Sequence, residues 1–209
     1  MRLVVATWLC VLAIPMPASA QTSSSGSSRL SRTVTFLVGG AAGLGIHESG
    51  HVIFGAMFGA HPGVRGLHSR PIPFFVITHD EVTRRKEFVI SSAGFWMQHL
   101  GSEWLLTARP NIAHEDAPFL KGIFAFNLGA STVYSIAAFA KAGPPERDTR
   151  GMAVSLGKDG VPEPYVGLLV LGPAVLDGYR YLRPDAAWAK WTSRGLKIAA
   201  VCLTLAAGR

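Results

Sequence analysis

Apolar residues gather into five runs, at roughly residues 33–60, 87–107, 118–141, 164–182 and 195–208, with polar and basic stretches between them. Runs of this length predict helices. The first, third and fourth approach the ~20 residues that a membrane-crossing helix needs. The second carries Gln98, His99 and Glu103, and the fifth is short enough to be a tilted or partial span. The pattern therefore predicts an all-α polytopic membrane protein with about four to five transmembrane or partial helices. One stretch reads differently: Pro71-Ile72-Pro73-Phe74-Phe75-Val76-Ile77-Thr78 is strand-like. It predicts a short cytosolic β-hairpin in the 61–86 loop.

Composition and charge support that picture. The chain has 209 residues, 49% hydrophobic and 16% charged, against about a quarter charged in a typical soluble domain. The net charge of +7 would suit nucleic acid, but the basic residues sit between apolar runs and not on one stripe. That placement favours membrane-flanking loops and argues against a nucleic-acid partner. If the N-terminus starts outside, the 61–86 loop (Arg65, Arg70, Arg84, Arg85, Lys86) and the 142–163 loop (Arg147, Arg150, Lys158) fall in the cytoplasm. Both placements follow the positive-inside rule, whereas the basic stretch after Tyr181 departs from it.

Residues 1–20 read as a secretory signal peptide: Arg2, an apolar core, and Ala18-Ser19-Ala20 as the cleavage site. Residues 21–32 are a Ser-rich flexible leader. Residues 33–209 are then a single membrane-embedded domain, of integral-membrane localisation. A bacterial inner membrane is expected, with the mature N-terminus outside the cytoplasm. The two cysteines, Cys10 and Cys202, allow no disulfide framework and exclude a Cys-based zinc site.

Within the first run stands His47-Glu48-Ser49-Gly50-His51, an HExxH motif. Residues four apart share a helix face, so His47 and His51 can turn ring nitrogens toward one metal ion. Glu48 lies where it can take a proton from a metal-bound water. In lipid a central charge costs roughly 2.5–3.5 kcal/mol on insertion scales, so such residues there are functional by default. Zinc needs a third protein ligand. Asp177, Asp148, and the His99–Glu103 pair at i, i+4 are the candidates.

The HExxH motif, with Gly55 and Gly59 following, resembles the site-2 protease family of intramembrane zinc metalloproteases. Leu176-Asp177-Gly178 matches that family's downstream Leu-Asp-Gly, and Ala93-Gly94-Phe95-Trp96-Met97-Gln98 resembles its middle helix. The resemblance implies zinc held by His47, His51 and Asp177, Glu48 as catalytic base, and Gln98 in substrate binding. It implies a hydrolase that cuts peptide bonds in or near membrane segments, with a membrane-protein or peptide substrate and the bilayer as partners. Two apolar runs separate HExxH from Leu-Asp-Gly where the family has one. Asp148 restores the expected parity and stands as the alternative third ligand. A rival of another class is a non-proteolytic membrane protein that binds or transports the metal.

Overall fold

Ser28 opens the first helix, its hydroxyl accepting a hydrogen bond from the Ser31 amide at 3.2 Å, so one of the four unpaired N–H groups of the first turn is satisfied. In this computed structural model residues 28–67 and 74–207 are described. The expected signal peptide and most of the Ser-rich leader lie outside them. Helix α1 spans Arg29–Met57 and stops at Gly59, whose φ of +69° costs a residue without a side chain little. Strands β1 (Gly63–Leu67) and β2 (Phe74–Thr78) pair antiparallel, with Gly63 opposite Thr78 and Leu67 opposite Phe74. Helix α2 follows at Arg84–Ala108. A 3-10 turn at Ile112–His114 leads into α3, Pro118–Ala140, which begins on a proline whose missing N–H would have had no helical partner. Then come α4 (Asp148–Ser155), α5 (Glu163–Leu182) and α6 (Ala187–Ala207).

Helix α3 lies between α1 and α5; α1 also packs on α2, α2 on α4, and α6 on α5. The α1–α3 crossing is a backbone contact. A Cβ at Gly39 would collide with the Phe119 carbonyl, and one at Gly122 with the Phe36 carbonyl. Apolar clusters seal the remaining seams. Phe88 and Phe95 of α2 meet Met152 of α4 and Val166 and Val170 of α5. Leu105, Leu106, Leu120 and Phe124 close the α2–α3 turn, while Phe54, Ile90 and Ala93 lock α1 to α2.

The expectation of four to five membrane helices is overturned. Among the described residues only Pro118–Ala140 is long and apolar enough to cross a membrane. The physical reason lies in the polar content of the others. Helix α2 carries Arg84, Arg85, Lys86, Glu87 and Glu103; α5 carries Glu163, Asp177 and Arg180; α6 carries Lys190, Arg194 and Lys197. Helix α1 is diluted by glycines and by the HExxH residues themselves. The same helices leave apolar side chains on the outside, including Val34, Leu37 and Val38 of α1 and Val133 and Ile136 of α3.

Candidate metal centre

His47 and His51 are one turn apart on α1, both buried, and face α2 and α4. Asp148, the first residue of α4, reaches them from the far side of the chain. Its Oδ2 lies 3.0 Å from His47 Nε2 and 3.4 Å from His51 Nε2, and the two Nε2 atoms are 3.3 Å apart. A tetrahedral zinc ion with bonds of about 2.0–2.1 Å spaces its ligand atoms about 3.3 Å apart. The three side chains therefore already form one face of such a site. They are the one group of three potential ligands found together among the described residues.

The surroundings aim the ring nitrogens. His51 Nδ1 donates to the Ile90 carbonyl at 2.8 Å, which leaves Nε2 as the inward lone pair. His47 stacks on Tyr134 (6.0 Å between centroids) and meets Phe95 edge-on (5.4 Å). Gly94 lies directly under its ring, where any Cβ would strike it. The Tyr134 hydroxyl lies close to the Asp148 carboxylate. His47 Nδ1 is buried with no hydrogen-bond partner among the described residues.

Electrostatics agree with a shared ion-binding triangle. Burial opposes charge on His51, but the Asp148 carboxylate beside it outweighs this and raises its pKa to about 9. Burial likewise opposes charge on Asp148, yet the two imidazoles hold it well below the ordinary carboxylate range. Glu48, half-buried beside His47, is pushed up by burial; the two histidines work against that rise and Asp148 adds to it. In effect, a proton on His51 supplies part of the positive charge that a divalent cation would bring to the same place.

The other residues singled out from the sequence go elsewhere. Asp177 is 1% exposed, and its Oδ1 accepts from Ser193 at 2.8 Å and Lys197 at 2.8 Å, both on α6. Arg180 lies 3.4 Å from the same oxygen and donates to Glu103, which also accepts from Arg194 and Lys197. Burial would raise Glu103, but its three cationic partners prevail and hold its pKa at about 2. Burial, followed by the Lys197 charge, depresses His99 to about 3, so it is neutral. Asp177 and Glu103 thus belong to a buried ion network apart from the histidine pair, whereas His99 lies between, depressed by both Lys197 and His47. Gln98 is fully buried, and neither side-chain amide atom has a partner among the described residues. A cleft of about 250 Å³ is lined by Arg32, Phe36, Asp116 and Lys121, away from the histidine pair.

Two residues that shape the site carry no signal in the sequence: Gly94, the floor under His47, and Tyr134, stacked on its ring. Gly94 stands in a motif whose pattern says nothing of a histidine above it, and Tyr134 has no spacing relation to the histidines.

No known protein family, curated protein or solved structure matches the chain. The resemblance to the site-2 proteases is thereby corrected. The His47–His51–Asp148 triad sits in a helix bundle in which, among the described residues, only α3 is long and apolar enough to cross a membrane, and the triad lies on α1 and α4, outside that helix. An intramembrane zinc metalloprotease with a multi-spanning core is not what these residues build. What they build is a His-His-Asp cluster able to hold a divalent metal ion.

Proposed function

We propose that the chain is a divalent-metal-binding protein whose ion, zinc, is held by His47, His51 and Asp148. The observation that carries this reading is the triangle of ligand atoms with edges of 3.0, 3.3 and 3.4 Å. Imidazole nitrogen and carboxylate oxygen in that geometry suit zinc better than magnesium or calcium, which prefer all-oxygen shells. Residues 33–209 form one domain in this reading, and membrane association is through α3, the one helix among the described residues both long and apolar enough for it. Nucleic acid has no part in it.

A second reading adds chemistry at the same centre. Three protein ligands leave a fourth position, where zinc lowers the pKa of bound water toward about 7. Glu48 adjoins His47, and burial raises its affinity for a proton. It would take the proton from that water as the oxygen adds to the carbonyl carbon and give it to the departing amine or alkoxide as the C–N or C–O bond breaks, so the centre would act as a metallohydrolase on peptide or ester bonds.

Elemental analysis with chelator competition tests the first reading. Wild type should hold about one zinc per chain; His47→Ala and Asp148→Asn should lose it, and Asp177→Asn should keep it. A metal-free wild type after gentle purification would falsify this reading. For the second, Glu48→Gln should retain zinc but lose hydrolysis of a peptide and ester panel. Equal turnover by wild type and Glu48→Gln rules out Glu48 as the base.

A further inference from the structure

Asp148 is presented to the histidines by a short arm. The chain leaves α3 through Lys141 and Gly143, at φ 51° and 106°, and returns to α5 through Gly157 and Gly160, at 71° and 79°. Between these turns α4 has eight residues, with Asp148 the first. Its N-cap, Arg147, makes no side-chain capping bond, so ordinary capping does not hold the start of this helix. The grip comes from α5. Arg147 Nε donates to Glu163 Oε1 at 2.7 Å and Nη2 donates to Oε2 at 2.5 Å, a bidentate pair. Thr149 Oγ1 donates to the same Oε1 at 2.8 Å. The residues immediately before and after Asp148 are therefore tied to one carboxylate. Arg147 is 8% exposed and Thr149 fully buried, so water competes little for these bonds.

We propose that Glu163 is a positioning residue for the metal centre: it locks the Asp148 arm in the register that turns Oδ2 toward both Nε2 atoms. The inference rests on the metal-binding reading. Two features separate this role from plain support of the fold. The body of α5 is anchored by Val166 and Val170 against Phe88, Phe95 and Met152, a contact that does not involve Glu163. The Arg147 guanidinium has one further anchor, donating to the Pro144 carbonyl at 3.0 Å, which closes the approach loop but does not reach α5. Loss of the Glu163 charge thus frees the first turn of α4, which carries Asp148, while Met152 and Ala153 still hold the rest of that helix in the core. Bidentate charge-assisted pairs are directional as well as strong, which suits a part that must set an angle.

The experiment is zinc affinity by chelator competition, together with the visible absorption spectrum of the cobalt(II)-loaded protein, which reports ligand geometry. Wild type, Glu163→Gln, Thr149→Val and Asp148→Asn are compared, with helical circular dichroism as the folding control. Glu163→Gln should bind zinc about 10–100-fold more weakly, the range typical of lost outer-shell partners. Its cobalt bands should weaken and shift away from those of wild type, whereas Asp148→Asn should take up too little cobalt to show them. Thr149→Val keeps the Arg147 pair and should show a smaller shift in the same direction; it decides the matter if Glu163→Gln fails to fold. Wild-type affinity and spectrum in Glu163→Gln, or in Thr149→Val where that variant decides, overturn the positioning role and leave metal binding intact. A wild type that takes up neither zinc nor cobalt, or an Asp148→Asn that binds as wild type does, overturns the metal reading and this role with it.

Discussion

Alanine at Gly94 would place a methyl group within contact distance of Cε1, Nε2 and Nδ1 of His47. To recover an ordinary separation of about 3.5 Å the imidazole must retreat by roughly 1 Å. Zinc–nitrogen bonds tolerate about 0.2 Å, so such a retreat takes Nε2 out of coordination. The alternative is for α1 and α2 to move apart, which Gly50, packed on the Ala93 backbone, and the Phe54–Ile90–Ala93 cluster oppose. Phe95 and Tyr134 flank the ring at 5.4 and 6.0 Å, so either movement disturbs packed neighbours. Overpacking of this kind costs about 1–3 kcal/mol, or roughly 2–12 °C in melting temperature for a chain of this size. Because an inner ligand is displaced, zinc affinity should fall by more than the ~100-fold typical of an outer-shell loss. Gly45→Ala is the control: a Cβ there has nothing within 4 Å. It should keep zinc and gain up to about 1 kcal/mol of helix stability. Chelator competition and thermal melts on the three proteins decide the outcome. A Gly94→Ala protein that holds one zinc at wild-type affinity would refute the assignment of His47 as an inward-facing ligand.

Metal binding should depend on pH through His51, whose pKa of about 9 lies above its usual value of 6.5. In the metal-free protein the stabilising His51–Asp148 pair is fully present below 6.5 and is lost as pH rises through about 9, so melting temperature should fall across that window. Zinc must displace the same proton, and its apparent affinity should rise about tenfold per pH unit until about 9; a flat profile contradicts the shared site. Glu103 has the opposite sign. Its pKa falls from 4.5 to about 2, so its contribution is present above 4.5 and disappears as pH drops toward 2. Asp177, raised by burial against the pull of Lys197, offsets part of this. Urea melts should therefore show acid destabilisation between pH 4.5 and 2 in wild type. Glu103→Gln should lose that step and be weaker at pH 7, by less than the ~3–5 kcal/mol of a fully broken buried pair, since Arg180 keeps Asp177 at 3.4 Å. An unchanged acid limb in Glu103→Gln would show that the network does not govern it.

The positions of five helices could be read from the chain, because length and apolar content are local properties: a helix lies in each of the five apolar runs, whereas α4, short and polar, has no such run. The i, i+4 spacing of His47 and His51 likewise fixes their common face through helix geometry alone. Membrane crossing could not be read so directly. Apolar runs that suggested several spans are interrupted by charges that the fold pairs internally, as Glu103 does with Arg180, Arg194 and Lys197. Nor does spacing say which aspartate meets the histidines, since Asp148 and Asp177 are both far from them in sequence. Tertiary packing decides it: α4 docks on α2 and carries Asp148 inward, while α6 supplies Ser193 and Lys197 to engage Asp177. Gly94 under His47 and Glu163 behind Asp148 belong to the same class of information. Each depends on two segments distant in the chain meeting at a set distance, and no local pattern encodes that meeting.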